Sequence, residues 1–111
     1  MKKLIKTVAY FGGSFDPFHK GHEAMISAVC SAYTLDKLVL IPTFLSPHKS
    51  QSYFSSVHRL KILNRAAFEL EARFNVIIEI SNYETSLNRS NYTIDTLSTL
   101  CNSDHKNLFL I

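Results

Sequence analysis

The apolar positions of this chain fall into short continuous blocks that alternate with longer stretches of helical period. Residues 7–11 (TVAYF) form an apolar run ending at Gly12-Gly13, the pattern of a buried parallel strand entering a tight turn. From residue 20 to 33 the apolar positions recur as Met25/Ile26, Val29/Cys30 and Tyr33, one face of a helix. Lys37 to Pro42 (KLVLIP) reads as a second buried strand, stopped by proline. Residues 43–54 are a polar loop carrying Pro47-His48-Lys49. Ser55 or Ser56 then caps a long helix whose Leu60, Leu63, Ala67, Leu70 and Phe74 share a face. Residues 76–80 (VIIEI) are a third strand, and residues 81–90 are polar and looplike. Asn91 or Thr93 starts a short helix with Asp95 in its first turn and Ile94, Leu97 and Leu100 inward. Residues 108–111 (LFLI) are a fourth strand.

The order is β-α-β-α-β-α-β, with no internal repeat. It predicts one α/β domain over residues 1–111, a doubly wound parallel sheet with right-handed crossovers and strand order 3-2-1-4. That order puts the switch point beside the first strand, and ligands of such sheets bind there, outside the strand carboxyl ends.

Composition narrows the setting. Hydrophobic residues are 46% and charged residues 19% of 111, the balance of an ordinary globular domain. No apolar run approaches the ~18 residues of a membrane span, and Lys6 breaks the only stretch resembling a signal peptide. Two cysteines, Cys30 and Cys101, lie in apolar patterns without metal spacing, which fits a cytoplasmic protein. The net charge of +3 suits an anionic small substrate, while the scattered Lys and Arg give no nucleic-acid stripe. Glycine is more informative. The chain has three, where average usage would supply about eight, and Gly12, Gly13 and Gly21 all fall within one short stretch.

That stretch reads Gly12-Gly13-Ser14-Phe15-Asp16-Pro17-Phe18-His19-Lys20-Gly21-His22. It is neither G-x-G-x-x-G nor a P-loop. Two glycines let the backbone approach a ligand, and the next helix offers free N–H groups and a positive dipole end to an anion. His19 and His22, three apart, converge on one phosphate in this reading, and Gly21 leaves space for it. Two other readings stand beside it. The histidines can cap the helix while the glycines make a turn, or Asp16, His19 and His22 can form a two-His-one-carboxylate metal set. Asp16 otherwise hydrogen-bonds the loop backbone.

The segment closely resembles the G-x-F-D-x-x-H-x-G-H signature of the nucleotidyltransferase superfamily. Ile41-Pro42-Thr43-Phe44-Leu45-Ser46-Pro47-His48-Lys49 is similar to the I-P-x-x-x-x-P-H-K loop of bacterial nicotinate mononucleotide adenylyltransferases. Val57-His58-Arg59-Leu60 also looks like theirs. Glu84 with Asn91-Tyr92-Thr93-Ile94-Asp95-Thr96-Leu97 resembles their E-x(6–7)-S-Y-T-x-x-T-L segment, with Asn91 in place of Ser. The likeness runs from residue 8 to 111. It implies a Rossmann-like nucleotidyltransferase fold and transfer of AMP from ATP to nicotinate mononucleotide, a step of NAD synthesis.

It also implies roles. His19 and His22 bind the ATP phosphates with help from Lys49, and Mg2+ rides on those phosphates with no metal site in the protein. Gly12, Gly13, Ser14, Phe15, Asp16 and Gly21 shape the phosphate loop, and Glu84, Tyr92 and Thr93 lie toward the nicotinate end. Read singly, Lys49 is a solvated lysine and Arg59 a surface or structural residue. A pantetheine-phosphate adenylyltransferase is the near relative; those usually carry Thr at the place of His19 and lack the P-H-K and Y-T-x-x-T-L segments. A nonenzymatic nucleotide-binding module is the alternative from another class.

The family's members are about twice as long, and their G-x-D turn and I-S-x-T-x-x-R segment are not in this chain. The expectation is an N-terminal portion, truncated after the fourth strand. Such a portion binds an anion, turns over ATP slowly if at all, and self-associates through the open strand edge as a homo-oligomer.

Overall fold

The structure is a computed structural model that describes residues 5–42, 56–81, 101 and 103–110. It contains β1 (Thr7–Gly13), α1 (Lys20–Ala32), β2 (Lys37–Pro42), α2 (Ser56–Phe74), β3 (Ile77–Ile80) and β4 (Lys106–Leu110). The four strands form one sheet in the order β3-β2-β1-β4, and all three pairings are parallel. This is the expected α/β sheet with the expected order. The expected helix at residues 91–100 lies outside the described residues.

Side-chain alternation along β1 and β2 sorts residues to the two faces. Ala9, Phe11, Leu38 and Leu40 join Ile26 of α1 and Leu63, Ala67 and Leu70 of α2 in the main core. Val8, Tyr10, Val39 and Ile41 form a second cluster on the other face, with Ile5 and Cys101 packed against it. Strands buried on both faces explain why the sequence shows continuous apolar runs there and no alternation. Burial, then the neighbouring Cys101, pushes the Tyr10 hydroxyl up to about 12, so it stays protonated.

Several boundaries differ from the sequence pattern, each for a local reason. Gly12 and Gly13 do not make the turn: they continue β1, paired with Ile41 and Pro42, and no glycine has positive φ. The turn falls at Asp16-Pro17. β4 begins at Lys106, two residues early, because the Lys106 N–H donates to the Lys6 carbonyl at 2.7 Å and starts the ladder. Of the predicted α1 face, Ile26 is buried and Val29 and Cys30 partly so, but Met25 and Tyr33 are exposed. Met25 stands ~100° around the helix from Ile26. Tyr33 has left the helix, with extended φ −134° and ψ 149°, and its ring lies 5.4 Å from the Lys106 ammonium.

The strand amino ends are gathered by one side chain. Asp36 Oδ2 accepts the Lys6 and Thr7 N–H groups, each at 2.9 Å. α2 closes with Asn75 at φ 52°, its N–H donating to the Glu71 carbonyl at 3.0 Å, a left-handed C-terminal stop. Glu71 Oε1 in turn accepts from Ile78 N–H at 2.7 Å, fixing where β3 departs. These ties at the amino ends leave the carboxyl ends of β1 and β2 as the place where the loops converge.

Candidate phosphate site

β1 ends at Gly13, and six residues later the chain enters α1 through His19. His19 is the N-cap, with extended φ −140° and ψ −178°. Its Nδ1 accepts the Gly21 N–H at 3.0 Å, and His22 Nδ1 accepts the His19 N–H at 3.0 Å. This is a reciprocal capping box built from two imidazoles, where Ser/Thr and Glu/Gln are usual. The rings stack, centroids 3.8 Å apart and 29° off parallel.

The capping and phosphate-binding readings of the sequence are therefore compatible. A neutral imidazole has one N–H. Since Nδ1 of each ring is an acceptor, each neutral ring carries its proton on Nε2. Two Nε2–H donors thus stand at the N-terminus of a 13-residue helix, whose dipole also favours an anion.

His22 is held tightly. It stacks on Phe18 (5.2 Å, 23°), meets the edge of Phe15 (5.1 Å, 70°) and lies 5.8 Å from Phe11. Burial, and then repulsion from His19, lowers its pKa below the ordinary value, which keeps it neutral at pH 7. Protonating Nδ1 would also break the cap. Because the folded value is lowered, the unfolded chain binds the proton more readily, so stability rises with pH. The contribution is full above about 6.5, the ordinary histidine value, and is lost as pH falls toward the lower folded value. His22→Gln keeps an acceptor for the cap but cannot titrate. Urea midpoints measured from pH 8 to 5 are expected to fall less in that variant than in the parent; equal slopes would refute the coupling.

Gly21 has a different use from the one its place suggests. A Cβ there would lie 2.8 Å from His19 Cε1 and 3.0 Å from its Nδ1. The missing side chain makes room for the His19 ring, whereas the sequence suggested room for phosphate. At Gly12 a Cβ would meet only the Ile41 carbonyl at 3.9 Å, so this backbone is open to approach. Phe15, expected in the loop, has its side chain 1% exposed; its ring supports the site from the core and touches Phe11 edge-on at 5.4 Å. Its φ of 45° is rare for a bulky residue. Asp16 is half-buried in the turn, and Ser14 is exposed. Among the described residues no three His, Cys, Asp or Glu are grouped to hold a metal ion.

Two supporting residues escaped the sequence reading, and a third, Arg59, it left open. Phe11 and Phe18 clamp His22, and Arg59, only 4% exposed, donates from Nη1 to the Ser14 carbonyl at 2.7 Å. Of the two readings of Arg59, surface or structural, the structural one holds. Its spacing was the available signal: residues 59, 63, 67 and 70 form one stripe of α2, and the other three are core. Beyond the site, Glu23 in the first turn of α1 pairs with Arg73 in the last turn of α2. Lys49, Glu84, Tyr92 and Thr93 lie outside the described residues.

Comparison with known proteins agrees with this geometry. Residues 10–102 match the cytidylyltransferase-like family, and the chain belongs to that family. Among its relatives, a protein of Sulfurimonas denitrificans, "Probable nicotinate-nucleotide adenylyltransferase", is 45% identical over 107 residues, 96% of this chain and 56% of that one. A protein of Aliarcobacter butzleri with the same name is 34% identical over 84% of this chain and 48% of its own length. A crystal structure from Vibrio parahaemolyticus, named in the same way, matches with TM-score 0.62 over 96% of this chain and 58% of that one. At 19% identity it speaks for the fold alone. The chain spans about half the length of the curated relatives it matches. No helix among the described residues is long and apolar enough to cross a membrane.

Proposed function

We propose that this site transfers AMP from ATP to nicotinate mononucleotide, giving nicotinate adenine dinucleotide and pyrophosphate. The observation that carries the reading is the stacked His19–His22 pair, with both Nε2–H donors at the start of α1 beside the carboxyl end of β1. The names of the relatives supply the substrate.

A phosphate oxygen of nicotinate mononucleotide attacks the α-phosphorus of ATP in line. The new O–P bond forms as the bond from the α-phosphorus to the bridging oxygen breaks, and pyrophosphate leaves with that electron pair. Negative charge grows on the departing oxygens. Two neutral N–H donors and a helix N-terminus stabilise it without a covalent intermediate, so catalysis is positioning plus electrostatics. The substrate is the Mg2+ complex of ATP. The described donor set is N–H groups, which suits the phosphates and not a cation. Open backbone at Gly12, with Gly13, Ser14, Asp16 and Gly21, forms the loop wall. Lys49 adds a point charge to the phosphates, and Glu84, Tyr92 and Thr93 hold the nicotinate end. A cytoplasmic location is part of this reading and fits the free thiols of Cys30 and Cys101.

The test, made in a chain of the relatives' full length that carries these residues, is pyrophosphate release from MgATP with nicotinate mononucleotide, nicotinamide mononucleotide or pantetheine phosphate as acceptor. Release with the nicotinate acceptor is expected to exceed both others. Preference for pantetheine phosphate would move the chain to the neighbouring adenylyltransferases, and nucleotide binding without release would make it a binding module.

A further inference from the structure

Arg59 reaches the phosphate loop from a different element. A guanidinium stays charged at any pH of interest, and burying a cation is expensive. The fold nevertheless places one among core side chains, on the stripe of Leu63, Ala67 and Leu70, with 4% exposure. Its Nη1 donates to the Ser14 carbonyl at 2.7 Å, across 45 residues of sequence. Ser14 is where the chain leaves β1. The next residue, Phe15, turns through φ 45° and puts its ring edge against His22 at 5.1 Å. A contiguous path therefore runs from the guanidinium through Ser14 and Phe15 to the imidazole.

We infer that Arg59 is a positioning residue for the phosphate site. By holding the Ser14 carbonyl it fixes the unusual backbone of Phe15, and Phe15 fixes the orientation of His22 and hence of the stacked pair. This deepens the adenylyl-transfer reading and rests on it for the ligand arm of its test alone.

The experiment records the imidazole nitrogen resonances of His19 and His22 by NMR in the parent chain, Arg59→Lys and Arg59→Met, first ligand-free and then titrated with inorganic pyrophosphate. The parent is expected to give the Nε2–H tautomer for both rings. In Arg59→Met the His22 signals broaden or shift toward mixed tautomers, and pyrophosphate affinity falls about tenfold or more, the scale of a small misplacement at a reacting site. Lysine keeps the charge and loses the fork, so Arg59→Lys is intermediate in both readouts. A folded Arg59→Met with parent tautomers and parent affinity overturns the inference. If the methionine variant does not fold, an Arg59→Lys indistinguishable from the parent overturns it instead. A parent that ignores pyrophosphate sinks the adenylyl-transfer reading, while the ligand-free tautomers still decide the role of Arg59.

Discussion

If the site carries out the proposed adenylyl transfer, His22→Ala made in a chain of the relatives' full length is expected to lower the maximal rate by about a hundredfold or more, ~3 kcal/mol of barrier, the usual cost of one donor aimed at developing charge. The KM for nicotinate mononucleotide should move by less than about threefold, since an interaction made mainly in the transition state appears in kcat. His22 is clamped by Phe15 and Phe18 with its Nδ1 committed to the His19 N–H, so its Nε2–H cannot be replaced by a neighbour without rearranging the cap. Alanine removes both the donor and the cap, which is why His22→Gln is the necessary companion. Glutamine at this position completes an ordinary capping box. Steady-state kinetics on both variants separates the roles. If glutamine restores most of the rate, His22 acts through the cap; if both are slow, it acts on the phosphates. An alanine variant within a fewfold of the parent would remove His22 from the chemistry altogether.

Gly21→Ala should divide stability from activity. Alanine is the better helix former by about 0.5–1 kcal/mol, and Gly21 lies within α1 at ordinary φ. Elsewhere on a helix the change would stabilise. Here the new Cβ meets His19 at 2.8 Å, closer than real Cβ contacts allow, so the ring must swing away and give up the Gly21 N–H. Losing that cap costs about as much as the propensity gains, ~1 kcal/mol. The unfolding midpoint should therefore change little. The donor pair, however, is broken, and pyrophosphate affinity should fall about tenfold, the worth of a hydrogen bond to a charged group. Isothermal titration beside a denaturation curve checks both halves. Unaltered affinity would mean that His19 does not bind anions from its capping position.

Much of this site is legible in the sequence because its position follows from topology. Apolar runs at residues 7–11 and 37–42 fix two central strands, and the switch point beside the first strand coincides with the glycine and histidine segment. The remainder depends on where side chains go once that frame exists. Strand or turn at Gly12-Gly13 turns on pairing with Ile41 and Pro42, a long-range event that local glycine preference misjudges. Residue type leaves Arg59 either surface or structural, although its spacing places it with Leu63 and Ala67; the Ser14 carbonyl decides the matter, and no local pattern reveals that acceptor. The joint use of His19 and His22 as caps and donors emerges only when both Nδ1 partners are known.

The pairing of β1 also sets an order of events during synthesis. β1 is made first but sits between β2 and β4, and the partner of Thr7 in β4 is Lys106. At ribosomal speeds of about 5–20 residues per second, roughly 5–20 seconds separate the two strands. Throughout that interval one edge of β1, apolar from Val8 to Phe11, lacks its eventual neighbour. The nascent chain must shield that edge from other copies of itself, and slower translation lengthens the exposure.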